Sequence, residues 1–207
     1  MTKLIDGIKR FRKVNYEIHK DIYRILKERQ KPHSLFISCC DSRIDPNMLT
    51  GALPGELFII RNIANIVPPY QDKFEHTDTI SAIEYAVFIL GVEEIIICGH
   101  SNCGGCSASL NPKMTINKLH NTQKWIELLN PVKERVSKEG SSYEFQIQGK
   151  MMEQGNVIQQ LKNLMTYSYI RQRVETGQLK LSGWYYIIET GEVYIYDGET
   201  GEFKLNN

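Results

Sequence analysis

The sequence predicts an α/β fold with a mostly parallel central sheet that is flanked by helices. Three short apolar segments, residues 34–39, 56–60 and 94–98, suit buried parallel strands. Amphipathic segments that suit helices alternate with them, and such alternation is typical of a parallel sheet. The tail at 181–205 alternates aromatic and polar residues around two turn signals that contain glycine. This pattern predicts an antiparallel hairpin at the edge of the sheet.

Apolar residues recur at three- and four-residue spacing in four further segments, which are therefore predicted to be helical. These segments are residues 3–29, 79–90, 115–138 and 154–174. Gly91 is expected to end the second helix, and Pro131 is expected to kink or split the third. The N-terminal helical segment has two interpretations. It either packs on its own domain or forms an arm that lies on a second subunit.

The composition is that of an ordinary globular protein, and it excludes several classes of function. The chain has 207 residues, 42% of them hydrophobic and 24% charged, which suits one domain over residues 1–207. The formal net charge of +1 provides no basic excess for nucleic acid and no charge block for a membrane surface. The longest apolar segments are too short to span a bilayer, and the N-terminus lacks the apolar core of a secretory signal. We therefore expect a cytoplasmic protein.

Cysteine and histidine residues form two clusters, each placed where a predicted strand ends. The clusters are CCDSR at 39–43 and HSNCGGC at 100–106. An odd count of five cysteines without a secretory signal favours metal binding or catalysis over disulfides. If the two strands are neighbours, their ends lie about 5–10 Å apart, so that Cys39, His100 and Cys103 could hold one zinc ion. Three protein ligands leave a fourth position open, which is typical of a catalytic zinc site.

Asp41 and Arg43 are the candidate catalytic pair of the first cluster. Two thiolate ligands cancel the charge of zinc, which leaves a bound water with a higher pKa unless a neighbouring group favours hydroxide. Asp41 can favour hydroxide by accepting a hydrogen bond from it. Asp41 is also an anion that could become a fourth zinc ligand and close the site. Arg43 can hold Asp41 away from the metal through a charge-assisted pair.

Other interpretations of the same residues remain open. The CGGC stretch at 103–106 resembles a redox-active dithiol, or it could supply two zinc ligands. The preferred interpretation has Cys103 as a ligand and Cys106 as a buried thiol nearby. Cys40 and Cys98 suit small apolar side chains without a chemical role. A zinc-stabilised binding protein is a further alternative, but it would need a fourth protein ligand and no restrained carboxylate.

Several motifs together resemble the beta-class carbonic anhydrases over nearly the whole chain. The earlier matches are CCDSR at 39–43, PGELF at 54–58, RNIAN at 61–65, SAIEY at 81–85 and GHSNCGG at 99–105. The later matches are NV at 156–157, QL at 160–161, TY at 166–167 and GWY at 183–185. The resemblance implies zinc-dependent reversible hydration of carbon dioxide to bicarbonate and a proton. Zinc-bound hydroxide would be the nucleophile, oriented by the Asp41–Arg43 dyad, and the family's ligands for one zinc ion per subunit match Cys39, His100 and Cys103.

The resemblance also implies a substrate cleft and an oligomer. Gln30 matches a glutamine that hydrogen-bonds substrate in the family, and the apolar cleft positions match Phe58, Ile63 and Tyr85. An apolar pocket suits carbon dioxide, which carries no charge. In the family the cleft is shared across a dimer interface, and the glutamine comes from the other subunit. The resemblance therefore implies a homodimer or a dimer of dimers, in which residues 1–30 form a dimerisation arm.

One position departs from the pattern of some bacterial members of the family. These members carry a Trp at the position of Phe36, where it helps to form a non-catalytic bicarbonate pocket with an Arg and a Tyr. That pocket favours an inactive state in which the aspartate ligates zinc. Arg61 and Tyr186 are the matching residues here, but the Phe36 side chain has no N–H donor. An open site at neutral pH, with Asp41 paired to Arg43, is therefore expected.

Overall fold

The computed structural model describes residues 2–71, 76–111 and 119–206, and these residues contain a six-stranded sheet. Its strands are β1 (Ser34–Cys39), β2 (Leu57–Asn62), β3 (Glu94–His100), β4 (Lys180–Tyr186), β5 (Val193–Asp197) and β6 (Glu202–Leu205). Across the sheet the order is β2-β1-β3-β4-β5-β6. The first four strands in this order pair in parallel, whereas β5 and β6 are antiparallel. The predicted parallel sheet with an antiparallel hairpin at its edge is confirmed.

Strand β1 lies between β2 and β3 and is parallel to both. All six of its residues are buried, which explains why it is largely apolar, with Ser34 and Ser38 as its polar residues. The register pairs Ser38 with Arg61 on one side and with Cys98 on the other. Cys39 and His100 therefore end their strands at the same edge of the sheet. The predicted strands 56–60 and 94–98 were too short at this edge, because their last residues are polar or glycine.

The N-terminal segment is helical, as predicted, but it ends at Leu26 rather than at residue 29. It consists of α1 (Thr2–Arg10), a π-helical turn (Phe11–Asn15), α2 (Tyr16–Ile18) and α3 (Lys20–Leu26). Its apolar side chains are largely exposed, with 79% exposure for Leu4, 68% for Ile8, 70% for Ile18 and 77% for Ile25. Exposed apolar stripes of this length are typical of interaction surfaces in proteins.

The remaining helices follow the predicted alternation with two additions. They are α4 (Pro46–Thr50), α5 (Thr77–Glu84), α6 (Gly104–Leu110), α7 (His120–Ile126), α8 (Asn130–Glu139), α9 (Phe145–Leu164) and α10 (Ser168–Glu175). Helix α5 continues as a π-helical stretch and ends at Gly91, whose φ of 65° suits glycine. Helices α4 and α6 were not predicted, because they are too short to show a helical period. None of the helices in the described part of the chain is long and apolar enough to cross a membrane.

Two of the predicted helices are divided in the structure. Pro131 lies in the first turn of α8 and separates it from α7, as expected, while residues 115–118 of that prediction lie outside the described residues. The single helix predicted over 154–174 is wrong in its start and in its continuity. Helix α9 begins at Phe145, and the extended backbone of Tyr167 (φ −80°, ψ 117°) separates it from α10. Tyr167 is held there by a tertiary contact, since its hydroxyl donates to the carbonyl oxygen of Pro68 at 2.8 Å.

Helix α9 packs on β3 and β4, and Gly99 permits its close approach. A Cβ atom at Gly99 would lie 2.6 Å from Cγ2 of Val157, a fully buried residue of α9. Val157 is β-branched and therefore cannot turn aside easily. Because Gly99 directly precedes His100, this contact also fixes the position of α9 relative to the carboxyl edge of the sheet.

Replacement of Gly99 with Ala should lower the free energy of unfolding by about 1–3 kcal/mol, the usual cost of overpacking a filled interior. Urea unfolding followed by circular dichroism measures the difference. Gly149→Ala is a matched control, because Gly149 lies in α9 with nothing within 4 Å of an added Cβ. A Gly99→Ala protein with wild-type stability would contradict the close packing of α9 on β3.

Candidate metal centre

Cys39, His100 and Cys103 meet at the carboxyl edge of the sheet. Cys39 ends β1, His100 ends β3, and Cys103 directly precedes α6. Their ligand atoms all lie within 4.8 Å of one another, and all three residues are buried. The parallel pairing of β1 with β3, together with the short turn after β3, thus brings together the three residues that the sequence predicted to be metal ligands.

The hydrogen bonds of the His100 imidazole leave Nε2 as its free ligand atom among the described residues. Its Nδ1 lies 2.9 Å from the carbonyl oxygen of Ser101 and can donate its proton to that oxygen. Nε2 is buried and has no hydrogen-bond partner among the described residues. A buried nitrogen without a partner is costly unless its lone pair binds a metal. Two sulfurs and one imidazole suit zinc, with Zn–S of about 2.3 Å and Zn–N of about 2.0–2.1 Å, so the residues present fit that ion.

The Cys39 sulfur receives a hydrogen bond from the segment that follows β2. The backbone N–H of Ala64 donates to Sγ of Cys39 at 3.4 Å. Ala64 (φ 61°) and Asn65 (φ 46°) both adopt the left-handed conformation, which is unfavourable for residues with a Cβ. An N–H donor stabilises a thiolate. The unusual backbone conformation therefore serves the site by directing a donor at a ligand atom.

Without a cation the ligand thiols are weak acids. A hydrogen bond with Cys103, together with burial, raises the pKa of Cys39 to about 12. The pKa of Cys103 is also raised, by a hydrogen bond with Cys106 and by burial. A divalent cation favours the thiolate form of its ligands, so metal binding at this group releases protons.

Asp41 and Arg43 form a bidentate ion pair beside the ligand group. The Nε and Nη2 atoms of Arg43 donate to Oδ1 and Oδ2 of Asp41 at 2.9 and 2.7 Å. The backbone N–H of Arg43 donates to Oδ1 as well, at 3.0 Å. These bonds, chiefly those from the guanidinium, hold the pKa of the Asp41 carboxyl well below its usual range. The carboxylate is therefore ionised and is held by the arginine.

Two arginines connect the first cluster to its neighbours through backbone carbonyl groups. Nη2 of Arg43 donates to the carbonyl oxygen of Asn102 at 3.1 Å, in the second cluster. Arg61 donates from Nε to the carbonyl of Cys39 at 3.1 Å and from Nη2 to the carbonyl of Asp41 at 2.7 Å. Main-chain groups leave no signal in a residue pattern, so the sequence could not identify these contacts.

The remaining cysteines are free thiols outside the ligand group. Cys98 and Cys106 are buried, whereas Cys40 is exposed. The Cys106 sulfur lies 3.7 Å from Nδ2 of Asn156, which also donates to the carbonyl oxygen of Ala64 at 2.8 Å. Cys106 is therefore a buried thiol beside the site, as the preferred interpretation of the CGGC stretch requires.

Phe58 and Tyr85 contact each other but lie away from the ligand group of their own chain. Their ring centroids are 6.0 Å apart. Phe58 pairs with Leu35, and Cys39 lies four positions further along β1, which corresponds to about 13 Å at the usual rise of a strand. Tyr85 is 44% exposed. The register therefore places Phe58 away from the metal ligands of its own chain, and Tyr85 contacts it there.

The other two residues of the predicted cleft occupy different surroundings. Ile63 is 39% exposed and directly precedes Ala64, which places it close to the Cys39 sulfur. Gln30 is exposed in the segment between α3 and β1. Within one chain, therefore, only Ile63 among the four predicted cleft residues is adjacent to the ligand group.

The fold and the ligand group define an α/β protein with three residues at the carboxyl edge of its sheet that could hold a metal ion. Residues 34–193 match the family model described as carbonic anhydrase. The chain is 42% identical over 201 residues to a carbonic anhydrase of Helicobacter pylori strain J99, covering 96% of this chain and 91% of that protein. It is 38% identical to a carbonic anhydrase of Synechocystis, with 98% of this chain and 73% of that protein covered.

Solved structures give the same result. The beta-carbonic anhydrase CcaA superposes with a TM-score of 0.95 at 38% identity, covering 100% of this chain and 99% of that chain. A tetrameric beta-carbonic anhydrase from Sordaria macrospora superposes with a TM-score of 0.82 at 28% identity, covering 94% of this chain and 95% of that chain. The chain therefore belongs to the beta-carbonic anhydrase family and is a carbonic anhydrase, an enzyme class whose general reaction is the hydration of carbon dioxide.

Cys39→Ser should abolish the binding of one divalent ion per chain, because it removes one of three converging ligands. Elemental analysis of protein that has been loaded with zinc and then desalted measures the loss. Cys106→Ser is the matched control, since Cys106 is buried nearby but lies outside the ligand group. If Cys39→Ser bound as much zinc as Cys106→Ser, with both at the wild-type content, the assignment of Cys39 as a ligand would be ruled out.

Proposed function

We propose that this chain catalyses the zinc-dependent, reversible hydration of carbon dioxide to bicarbonate and a proton. The observation that carries the proposal is the Asp41–Arg43 ion pair beside a ligand group of only three residues. A structural zinc site needs a fourth protein ligand and has no use for a restrained carboxylate. A three-ligand group with such a carboxylate suits a catalytic site.

Cys39, His100 and Cys103 are the proposed ligands of one zinc ion per subunit. When bound, zinc lowers the pKa of a water molecule, so that hydroxide is available to attack carbon dioxide. The proposed role of Asp41 is to accept a hydrogen bond from this nucleophile and to orient it. Oδ1 of Asp41 accepts from both Nε and the backbone N–H of Arg43, whereas Oδ2 accepts from Nη2 and retains a further lone pair for that purpose.

Arg43 also keeps the site open by holding Asp41 away from the ligand group. An unrestrained Asp41 would be a fourth ligand for zinc and would close the site. The bidentate pair supports the open state, and Arg61 supports it further by binding the backbone carbonyl of Asp41. The Phe36 ring contacts the Trp184 ring with centroids 5.7 Å apart, and Phe36 offers no donor for a bicarbonate ion. We therefore propose that the open state prevails at neutral pH.

The proposed substrate cleft combines residues of two subunits. Ile63 would come from the subunit that holds the zinc, whereas Gln30, Phe58 and Tyr85 would come from its neighbour. The distance of Phe58 from the ligand group of its own chain supports this division. The exposed apolar side chains of residues 1–30 support the proposed role of that segment as a dimerisation arm. We propose a homodimer or a dimer of dimers, and a cytoplasmic enzyme without a nucleic-acid or membrane partner.

Asp41→Asn should retain zinc but lower kcat for carbon dioxide hydration by about 100-fold, the order of loss when a reacting group is no longer correctly oriented. Stopped-flow hydration assays combined with elemental analysis of zinc measure both quantities. Asp45→Asn is a matched control, because Asp45 caps α4 and Asn is an equally good cap. Hydration at the wild-type rate in Asp41→Asn would sink the proposed mechanism.

Substitution of Asp for both Ile8 and Ile18 should shift the protein toward monomers, because burial of these charged groups in an interface is unfavourable. Light scattering coupled to size exclusion chromatography measures the mass. Hydration activity should fall with the loss of dimer, since the proposed cleft needs the neighbour's Gln30. Asp6→Asn is the control on the same segment, where Asp6 pairs with Lys9 in water. An unchanged mass would contradict the proposed arm.

A further inference from the structure

The peptide group between Asn102 and Cys103 is held on both of its polar sides by buried or charged side chains. Its carbonyl oxygen accepts a hydrogen bond from Nη2 of Arg43 at 3.1 Å. Its N–H donates to Oε1 of Glu153 at 2.9 Å. One peptide plane therefore connects Glu153 of α9 to Arg43 of the ion pair, and the same peptide carries Cys103.

Glu153 is fixed in place by elements outside the two clusters. The residue is 7% exposed and belongs to the middle of α9. Its second carboxylate oxygen, Oε2, accepts a hydrogen bond from the hydroxyl of Tyr185 at 2.6 Å, and Tyr185 is 2% exposed in β4. A buried carboxylate persists only where donors satisfy it, and the two oxygens of Glu153 each have one. The acceptor that faces Cys103 is therefore rigid.

The peptide needs such support because of the conformation of Asn102. Its φ of 55° is left-handed, a conformation that Asn tolerates better than most residues with a Cβ but that still favours support from the surroundings. Arg43 cannot supply the support alone, because 46% of its side chain is exposed to water. Glu153 supplies the second contact to this peptide, because it accepts the Cys103 N–H.

We infer that Glu153 is a positioning residue for the metal site. It orients the Asn102–Cys103 peptide, which places the Cys103 sulfur and aims the Asn102 carbonyl at Arg43. Because Nη2 of Arg43 binds both this carbonyl and Oδ2 of Asp41, the orientation of the peptide is transmitted to the ion pair. The inference rests on the proposed function, in which Cys103 ligates zinc and Arg43 restrains Asp41.

Glu153→Ala and Glu153→Gln separate this role from general stability. Competition with a chromophoric chelator measures zinc affinity, and the absorption of the cobalt-loaded protein reports the thiolate ligands and their geometry. Glu153→Ala should bind zinc about 10- to 100-fold more weakly, as expected when support for a ligand is lost, with altered cobalt bands. Glu153→Gln should bind zinc with most of the wild-type affinity. The amide oxygen of Gln can accept the Cys103 N–H, and its amide nitrogen can donate a hydrogen bond to the Tyr185 hydroxyl oxygen.

Two further variants keep the inference open to refutation. Leu164→Ala creates a cavity at the C-terminal end of α9. Leu164 is fully buried in a part of the core that does not include Cys39 or Cys103, so this variant should have unchanged zinc affinity and cobalt bands. Tyr185→Phe retains Glu153 but removes its second donor, so this variant should also bind zinc more weakly than the wild type. It replaces Glu153→Ala as the test if Glu153→Ala does not fold. The inference would be overturned if Glu153→Ala kept the wild-type zinc affinity and cobalt bands. If Glu153→Ala is unfolded, the same result in Tyr185→Phe would overturn it. So would a loss in Leu164→Ala equal to that in Glu153→Ala.

The wild-type protein distinguishes this inference from the proposed function. Wild-type protein that holds no zinc at Cys39, His100 and Cys103 would overturn both together. Wild-type protein that binds zinc and hydrates carbon dioxide, accompanied by a Glu153→Ala variant with the same affinity, would overturn the role of Glu153 alone. Weak binding in Glu153→Ala with recovery in Glu153→Gln would support it.

Discussion

The parallel pairing of β1 with β3 is the constraint on which the site depends. Neighbouring parallel strands end at the same edge of a sheet. Cys39 and His100, the last residues of β1 and β3, therefore lie close together there. Cys103 follows within one short turn. Strand β1 has no exposed residue, so any shift in its register would place polar groups in the core. The packing of the core therefore fixes the positions of Cys39 and His100 at this edge.

Helix α9 holds the irregular segments that the strands leave at this edge. Asn156, Gln160 and Asn163 bind backbone groups of residues 64–67, including the carbonyl of Ala64 at 2.8 Å and the N–H of Val67 at 2.8 Å. Glu153, one turn earlier, binds the second cluster. Each of these side chains is buried, and each satisfies a main-chain group that would otherwise lack a partner. One helix face thus maintains the left-handed residues on both sides of the ligand group.

The charges around the ligand group keep the Asp41 carboxylate ionised and accessible to solvent. Two thiolates and one neutral imidazole would balance the charge of a divalent ion held by Cys39, His100 and Cys103, and the Asp41 carboxylate is matched by Arg43. Arg43 is partly exposed, whereas the ligands are buried, so the ion pair lies at the boundary between the core and solvent.

The sequence by itself determined the features that depend on local pattern: the three apolar strands, the C-terminal hairpin, the split at Pro131 and the two residue clusters with their spacing. Tertiary structure decided what depends on distant partners. The break at Tyr167 follows from its bond to Pro68, and the donors and acceptors around Cys39 and Cys103 are backbone groups or come from α9. A sequence pattern records the periodicity of burial along one segment. It carries no record of which main-chain group a distant side chain such as Glu153 will bind, because that contact exists only after the helix has packed on the sheet.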